Sequence, residues 1–117
     1  MLNFFKKKHS TETDGFCDLD AQETLCLYET QKTAYVWLDV RTSEEWKEGH
    51  IPHAKHIPID DIENRLSEVG SPNQKYIVYC HSGGRSAKVC EFLVEKGFKN
   101  IINYSGGMSH WTGPTEK

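Results

Sequence analysis

No apolar run in this chain approaches the roughly 18 consecutive residues that a membrane-spanning helix needs, so a spanning helix is excluded. Basic excess is missing too. Fourteen Lys and Arg face seventeen Asp and Glu, a formal net charge of −3, the reverse of a dedicated nucleic-acid binder. Membrane and nucleic-acid partners are therefore not expected. The start, MLNFFKKKHSTETDG, places its short apolar stretch before its lysines, opposite to a secretory signal, and it is too poor in arginine for a mitochondrial presequence. There is no CxxC pair among Cys17, Cys26, Cys80 and Cys90, which removes the usual structural-zinc and thioredoxin-type spacings. Reduced thiols and a cytoplasmic location are the expectation. Internal repeats and low-complexity segments are absent, and 117 residues leave room for one ordinary core.

What is present reads as alternating strands and helices. Residues 1–15 are polar and aperiodic and are expected to form a flexible lead-in, with Lys6, Lys7 and Lys8 as a solvated cluster. A domain is expected over 16–113 and a short tail over 114–117. Asp20 and Glu23 form a capping-box pattern ahead of a helix carrying Leu25, Cys26, Leu27 and Tyr28. YVWLDV and KYIVYC read as strands buried on both faces, and NIINY as a third. TSEEWKEG predicts a helical turn or two, capped by Thr42 or Ser43 and stopped by Gly49. HIPHAKHIPID, with two prolines, predicts extended chain. DDIENRLSEVG predicts a short helix ending at Gly70, and RSAKVCEFLVEKG a longer one with Cys90, Leu93 and Val94 on its inner face and Gly97 beyond its end. SGGMSHW reads as a turn into a last short helix. Strands alternating with helices imply an α/β fold: a parallel sheet of four or five strands with helices on both faces.

Cys80 ends one predicted strand just before a Gly-rich turn and a helix start, the edge at which open α/β sheets bind ligands. In the segment His81, Ser82, Gly83, Gly84, Arg85 and Ser86, the glycines allow successive backbone N–H groups to turn inward. Those amides, the helix N-terminus and the Arg85 charge all favour a thiolate at Cys80, the nucleophilic form. A lone cysteine at the end of a buried strand is more often core; the loop that follows reverses those odds. Cys26 and Cys90 fall on apolar helix faces and Cys17 precedes the first helix, so all three read as structural.

Other features have plainer readings. Asp39 and Arg41, two apart at a strand end, share a face and read as a structural ion pair, with substrate binding by Arg41 as the lesser alternative. His50, His53 and His56 are spaced like metal ligands, yet two prolines break any helix that would align them and no fourth ligand is spaced to join them. No metal is expected. His81 is expected to point outward. Gly106-Gly107 lacks the lysine and the spacing of a phosphate loop, and Trp111 is expected to cover the sheet.

Four segments, LDVRTSEEW, GHIPHAKHIP, YCHSGGRS and YSGGMSHW, occur in an order and spacing that resemble a single-domain rhodanese-like sulfurtransferase over about residues 17–113. His53 stands where that family usually has glycine. The resemblance implies a five-stranded, mostly parallel sheet flanked by helices, no cofactor, and Cys80 as sulfur carrier. It implies ping-pong transfer from a small sulfur-containing anion such as thiosulfate to cyanide, a thiol or a protein acceptor, through a Cys80 persulfide held by loop amides. Arg85 would orient or screen the anionic donor. Alternatives are a sulfur-relay or protein-interaction module and a Cys-dependent phosphatase. Only four residues separate Cys80 from Arg85, against five in the related phosphatases, which favours sulfur over phosphate.

Overall fold

A computed structural model describes residues 15–117; the expected flexible lead-in and its lysine cluster, Gly15 apart, lie outside the described residues. The elements are β1 (Phe16–Leu19), α1 (Ala21–Gln31), β2 (Val36–Asp39), α2 (Ser43–Glu48), β3 (Lys55–His56), β4 (Lys75–Tyr79), α3 (Gly84–Glu95) and β5 (Asn100–Tyr104). They build one five-stranded sheet in the order β1-β5-β4-β2-β3, and all four pairings are parallel. β4 therefore runs down the middle, with its carboxyl end flanked by β5 and β2.

Side-chain alternation along β4 divides the core in two. Tyr76, Val78 and Cys80 join Leu38, Val89, Cys90 and Leu93 on the α3 side. Ile77 and Tyr79 join Tyr28, Trp37, Ile51 and Tyr104 on the α1 side. Trp111 packs on this second face with edge-on contacts to Tyr28, Trp37 and Tyr104, at centroid distances of 5.6, 6.4 and 6.0 Å. Burying each such aliphatic or aromatic side chain contributes about 1.5–3 kcal/mol, so both layers hold β4 rigidly in place. None of the described helices is long and apolar enough to cross a membrane.

Both capping boxes form as written in the chain: Asp20 with Glu23 opens α1, and Thr42 with Glu45 opens α2, which stops at Gly49. Gly97, just past α3, takes a φ of +95°. Four readings need correction. β1 was not expected; it is a four-residue edge strand, tied to β5 by Asn103 Nδ2 donating to Asp18 Oδ1 at 3.0 Å. The segment expected as a helix before Gly70 is instead two 3-10 turns, Ile59–Asp61 and Leu66–Glu68. Those tighter turns bring Ile62 and Val69 into the core while Arg65 pairs with Glu68 outside. Cys26 is exposed, because α1 turns Thr24 and Tyr28 inward instead. Finally, segment 114–117 is tied back: His50 and Glu116 exchange two backbone hydrogen bonds of 2.9 Å, and Trp111 Nε1 donates to Pro114 O.

His53 has a φ of +73°, alone among the described non-glycine residues in the left-handed region. A side chain there costs roughly 1–2 kcal/mol, partly offset by glycine's greater freedom in the unfolded chain. His53→Gly should therefore raise stability by about 0.5–1 kcal/mol and the thermal midpoint by roughly 2–6 °C. An unchanged or lowered midpoint in thermal denaturation would contradict this strain.

Candidate active site

Cys80 leaves the carboxyl end of β4 on the face toward α3, and the chain then curls back beneath the start of that helix. Gly83 makes the curl possible. It caps α3 with a φ of +100°, and a Cβ there would overlap the Ser105 carbonyl oxygen. Gly84 is different: it is already helical, and a methyl group on it would meet open space. Only one of the two glycines is therefore required by the backbone.

The curl aims donors at the sulfur. Gly83 N–H lies 3.1 Å from Cys80 Sγ and Ser86 N–H 3.4 Å; the thiol in turn donates to Ser86 Oγ at 3.5 Å, and that hydroxyl donates to Gly83 O at 3.2 Å. The carbonyls face the other way: Cys80 O accepts from Met108 N–H and His81 O from Ser109 N–H, both at 2.9 Å. Gly107, with a φ of +64°, lets this second segment approach, since a Cβ there would overlap His81 O. The Gly106-Gly107 pair thus buttresses the cysteine loop.

Burial pushes the Cys80 thiol up, but the Ser86 hydroxyl together with the Ser86, Gly83 and Ser82 amides outweighs it and leaves the pKa below that of an ordinary thiol. Cys90, buried in the core without such donors, is pushed well up by desolvation. Two cysteines on one face of the sheet are thus shifted in opposite directions, Cys80 below and Cys90 well above an ordinary thiol. Cys80 itself is 1% exposed, at the floor of the loop. His81 and Ser82 are exposed at the rim.

Arg85 does not stand free beside the sulfur. Its Nη1 and Nη2 form a two-pronged ion pair with Glu45 of α2, at 2.8 and 3.0 Å. Glu45 is the loop partner that local spacing does not reveal; its position three after the Thr42 cap accounts for a cap but not for a contact made forty residues away. Asp39 and Arg41 also pair, with Arg41 Nη2 reaching Asp39 Oδ2 at 2.8 Å and Gly49 O at 2.7 Å. Both are buried, and their contacts fix the ends of α2 rather than opening toward the loop. The three histidines do not converge. His50 stacks on Trp46 at 3.4 Å with its Nδ1 at Trp46 O, His56 Nε2 sits at Arg41 O, and His53 is exposed. Among the described residues no group of three His, Cys, Asp or Glu side chains could hold a metal ion. A hollow of about 640 Å³ lies at the opposite end of the sheet, lined by Tyr35, Val94, Phe98 and Ile101, and includes none of the loop residues.

The family model described as "Rhodanese-like domain" matches residues 20–114. The chain belongs to this family. The fold agrees: a rhodanese-like domain protein of Staphylococcus aureus superimposes with a TM-score of 0.76 at 36% identity, covering 85% of this chain and 95% of that one. Among relatives, the chain is 44% identical over 79 residues to the Bacillus subtilis "Putative sulfur carrier protein YrkF", covering 68% of this chain but 42% of YrkF. It is 33% identical over 81 residues to "Thiosulfate sulfurtransferase GlpE" of Coxiella burnetii, covering 69% of this chain and 75% of GlpE. This rhodanese-like domain therefore sits in a family of sulfurtransferases and sulfur carriers, and it spans about two-fifths of the length of YrkF.

The two loop glycines give a direct check of the geometry. Gly83→Ala should cost about 2 kcal/mol or more and slow alkylation of Cys80 at least about tenfold, since the curl must shift. Gly84→Ala, in the first turn of α3, should be neutral or stabilising by up to about 1 kcal/mol. Equal effects in thermal denaturation would refute the assignment of the bend to Gly83.

Proposed function

We propose that this rhodanese-like domain transfers sulfane sulfur through a persulfide on Cys80. The observation that supports this most is the orientation of the loop, with its N–H groups toward Sγ and its Cys80 and His81 carbonyls bonded behind. In the first half-reaction the Cys80 thiolate attacks the outer sulfur of a donor. With thiosulfate, the new Sγ–S bond forms as the old S–S bond breaks, and sulfite leaves with the bonding electron pair. The terminal persulfide sulfur would carry its negative charge among the amides of residues 81–85 and the dipole of α3. In the second half-reaction cyanide, a thiol or an acceptor protein takes that sulfur and returns the thiolate. The chemistry needs no cofactor. It does need reduced thiols, and none of the four cysteines is in a disulfide, which accords with a reducing compartment such as the cytoplasm.

A sulfur-relay role, with a partner protein docked at the exposed rim formed by His81 and Ser82, uses the same persulfide and differs only in the acceptor. A phosphatase role is disfavoured by the four-residue spacing between Cys80 and Arg85 and by the engagement of Arg85 with Glu45.

Intact-mass measurement after incubation with excess thiosulfate, and separately with a small-thiol persulfide, should show the protein gaining one cyanide-labile sulfur atom. Cys80→Ser should gain none. No gain with either donor, or the same gain in Cys80→Ser, would overturn this function.

A further inference from the structure

Two arginines lie near the cysteine loop, and each is already matched by a carboxylate. Arg41 is held by Asp39 in the core. Arg85 is held by Glu45 at the loop itself, where the two side chains remain about a third exposed. Glu45 is not a casual surface partner. Its Oε1 accepts from Thr42 N–H at 3.0 Å, from the Thr42 hydroxyl at 3.1 Å and from Arg85 Nη1 at 2.8 Å, while Oε2 takes Arg85 Nη2. The capping box of α2 therefore fixes the carboxylate that fixes the guanidinium. The Arg85 hydrogen bond, against a smaller opposing effect of burial, lowers the Glu45 carboxyl to about 2, so the pair stays ionised throughout the neutral range. Arg85 directly precedes Ser86, whose N–H lies 3.4 Å from Cys80 Sγ, so the pair sits on the loop that surrounds the sulfur.

A donor that approaches Cys80 thus meets backbone dipoles but no uncompensated arginine. This matters most for a dianion. Thiosulfate carries two negative charges toward a site whose nucleophile is itself an anion, and the loop amides and helix dipole must offset that repulsion without help from an unpaired arginine. A thiol persulfide, R–S–SH, brings at most one charge at its reacting end, and its body can lie outside the loop.

We infer that the Glu45–Arg85 pair sets the donor class, and that this domain takes its sulfur from a thiol persulfide in preference to thiosulfate. This rests on the Cys80 persulfide function proposed above. The step is balanced without any oxidant or reductant: Cys80 Sγ⁻ attacks the outer sulfur of R–S–SH, the Sγ–S bond forms, and the S–S bond of the persulfide breaks. The electron pair leaves on R–S⁻, and the proton stays with the transferred sulfur until it ionises against the loop amides. Glu45 touches no reacting atom; it is a positioning residue that acts through Arg85.

Glu45→Gln tests this cleanly, because glutamine at the third helical position preserves a capping box while removing the charge. Cys80-dependent kcat/KM is measured for thiosulfate and for the persulfide of N-acetylcysteine methyl ester, with cyanide as acceptor, in wild type, Glu45→Gln and Glu45→Gln/Arg85→Ala. Wild type should favour the persulfide. In Glu45→Gln the thiosulfate-to-persulfide ratio should rise about five- to tenfold, through KM for thiosulfate, and added salt should shrink the rise. The rise should vanish in the double variant. A wild type that favours thiosulfate, a ratio unchanged in Glu45→Gln, or a rise that survives loss of Arg85 would each overturn the inference while leaving the Cys80 persulfide standing. Absence of Cys80-dependent transfer from both donors in wild type is a separate outcome: it overturns the proposed function and the donor preference together.

Discussion

The direction of a few peptide planes governs this site. Between Cys80 and Ser86 the backbone must present N–H groups to one sulfur atom and C=O groups to something else, and an unpaired buried carbonyl would be costly. Met108 and Ser109 N–H supply that partner from behind, taking Cys80 O and His81 O. Gly107 permits the approach and Gly83 the curl. The lowered pKa of Cys80 follows from this arrangement: the donors that lower it are the Ser86 hydroxyl and the Ser86, Gly83 and Ser82 amides. Burial by itself would raise its pKa, as it does for Cys90 on the same face of the sheet.

The fold supplies the rigidity that such a cradle needs. β4 is central and covered on both faces, so the position of Cys80 is set by two hydrophobic layers at once. The segment after β5 is fixed through Trp111, which packs among Tyr28, Trp37 and Tyr104. α2 forms a second support. Asp39 and Arg41 hold its two ends through Arg41 N–H and Gly49 O, and its own capping residue holds Arg85. A short helix is thereby turned into the link between the end of β2 and the end of the cysteine loop.

Much of this was legible in the chain. β2 and β4 are continuous apolar runs, α1 and α2 carry capping boxes, and the Cys80–Ser86 segment has the composition of an anion-binding turn. What escaped has common causes. β1 has four residues on an edge, too few to show alternation, and it is held by pairing with β5 and by contacts to Asn103 and Ser105 more than eighty residues away. The residues before Gly70 carry helix-like polar spacing, yet the need to bury both Ile62 and Val69 winds them into 3-10 turns. Cys26 sits amid leucines, but the rotation of α1 is set by Thr24 and Tyr28. The Glu45–Arg85 pair joins residues forty apart, and local spacing cannot reveal it. One signal was available: a glutamate in a capping box keeps acceptor capacity on both oxygens for a cation.

The central claim is that main-chain and Ser86 donors, not solvent or a free cation, make Cys80 a thiolate. Titration of the Cys80 Cβ resonance by NMR in wild type and in Ser86→Ala measures this directly. Cys80 in wild type should ionise below an ordinary thiol, and the Ser86→Ala midpoint should move upward. A wild-type midpoint at or above the ordinary value, or one indifferent to the loss of the Ser86 hydroxyl, would contradict it.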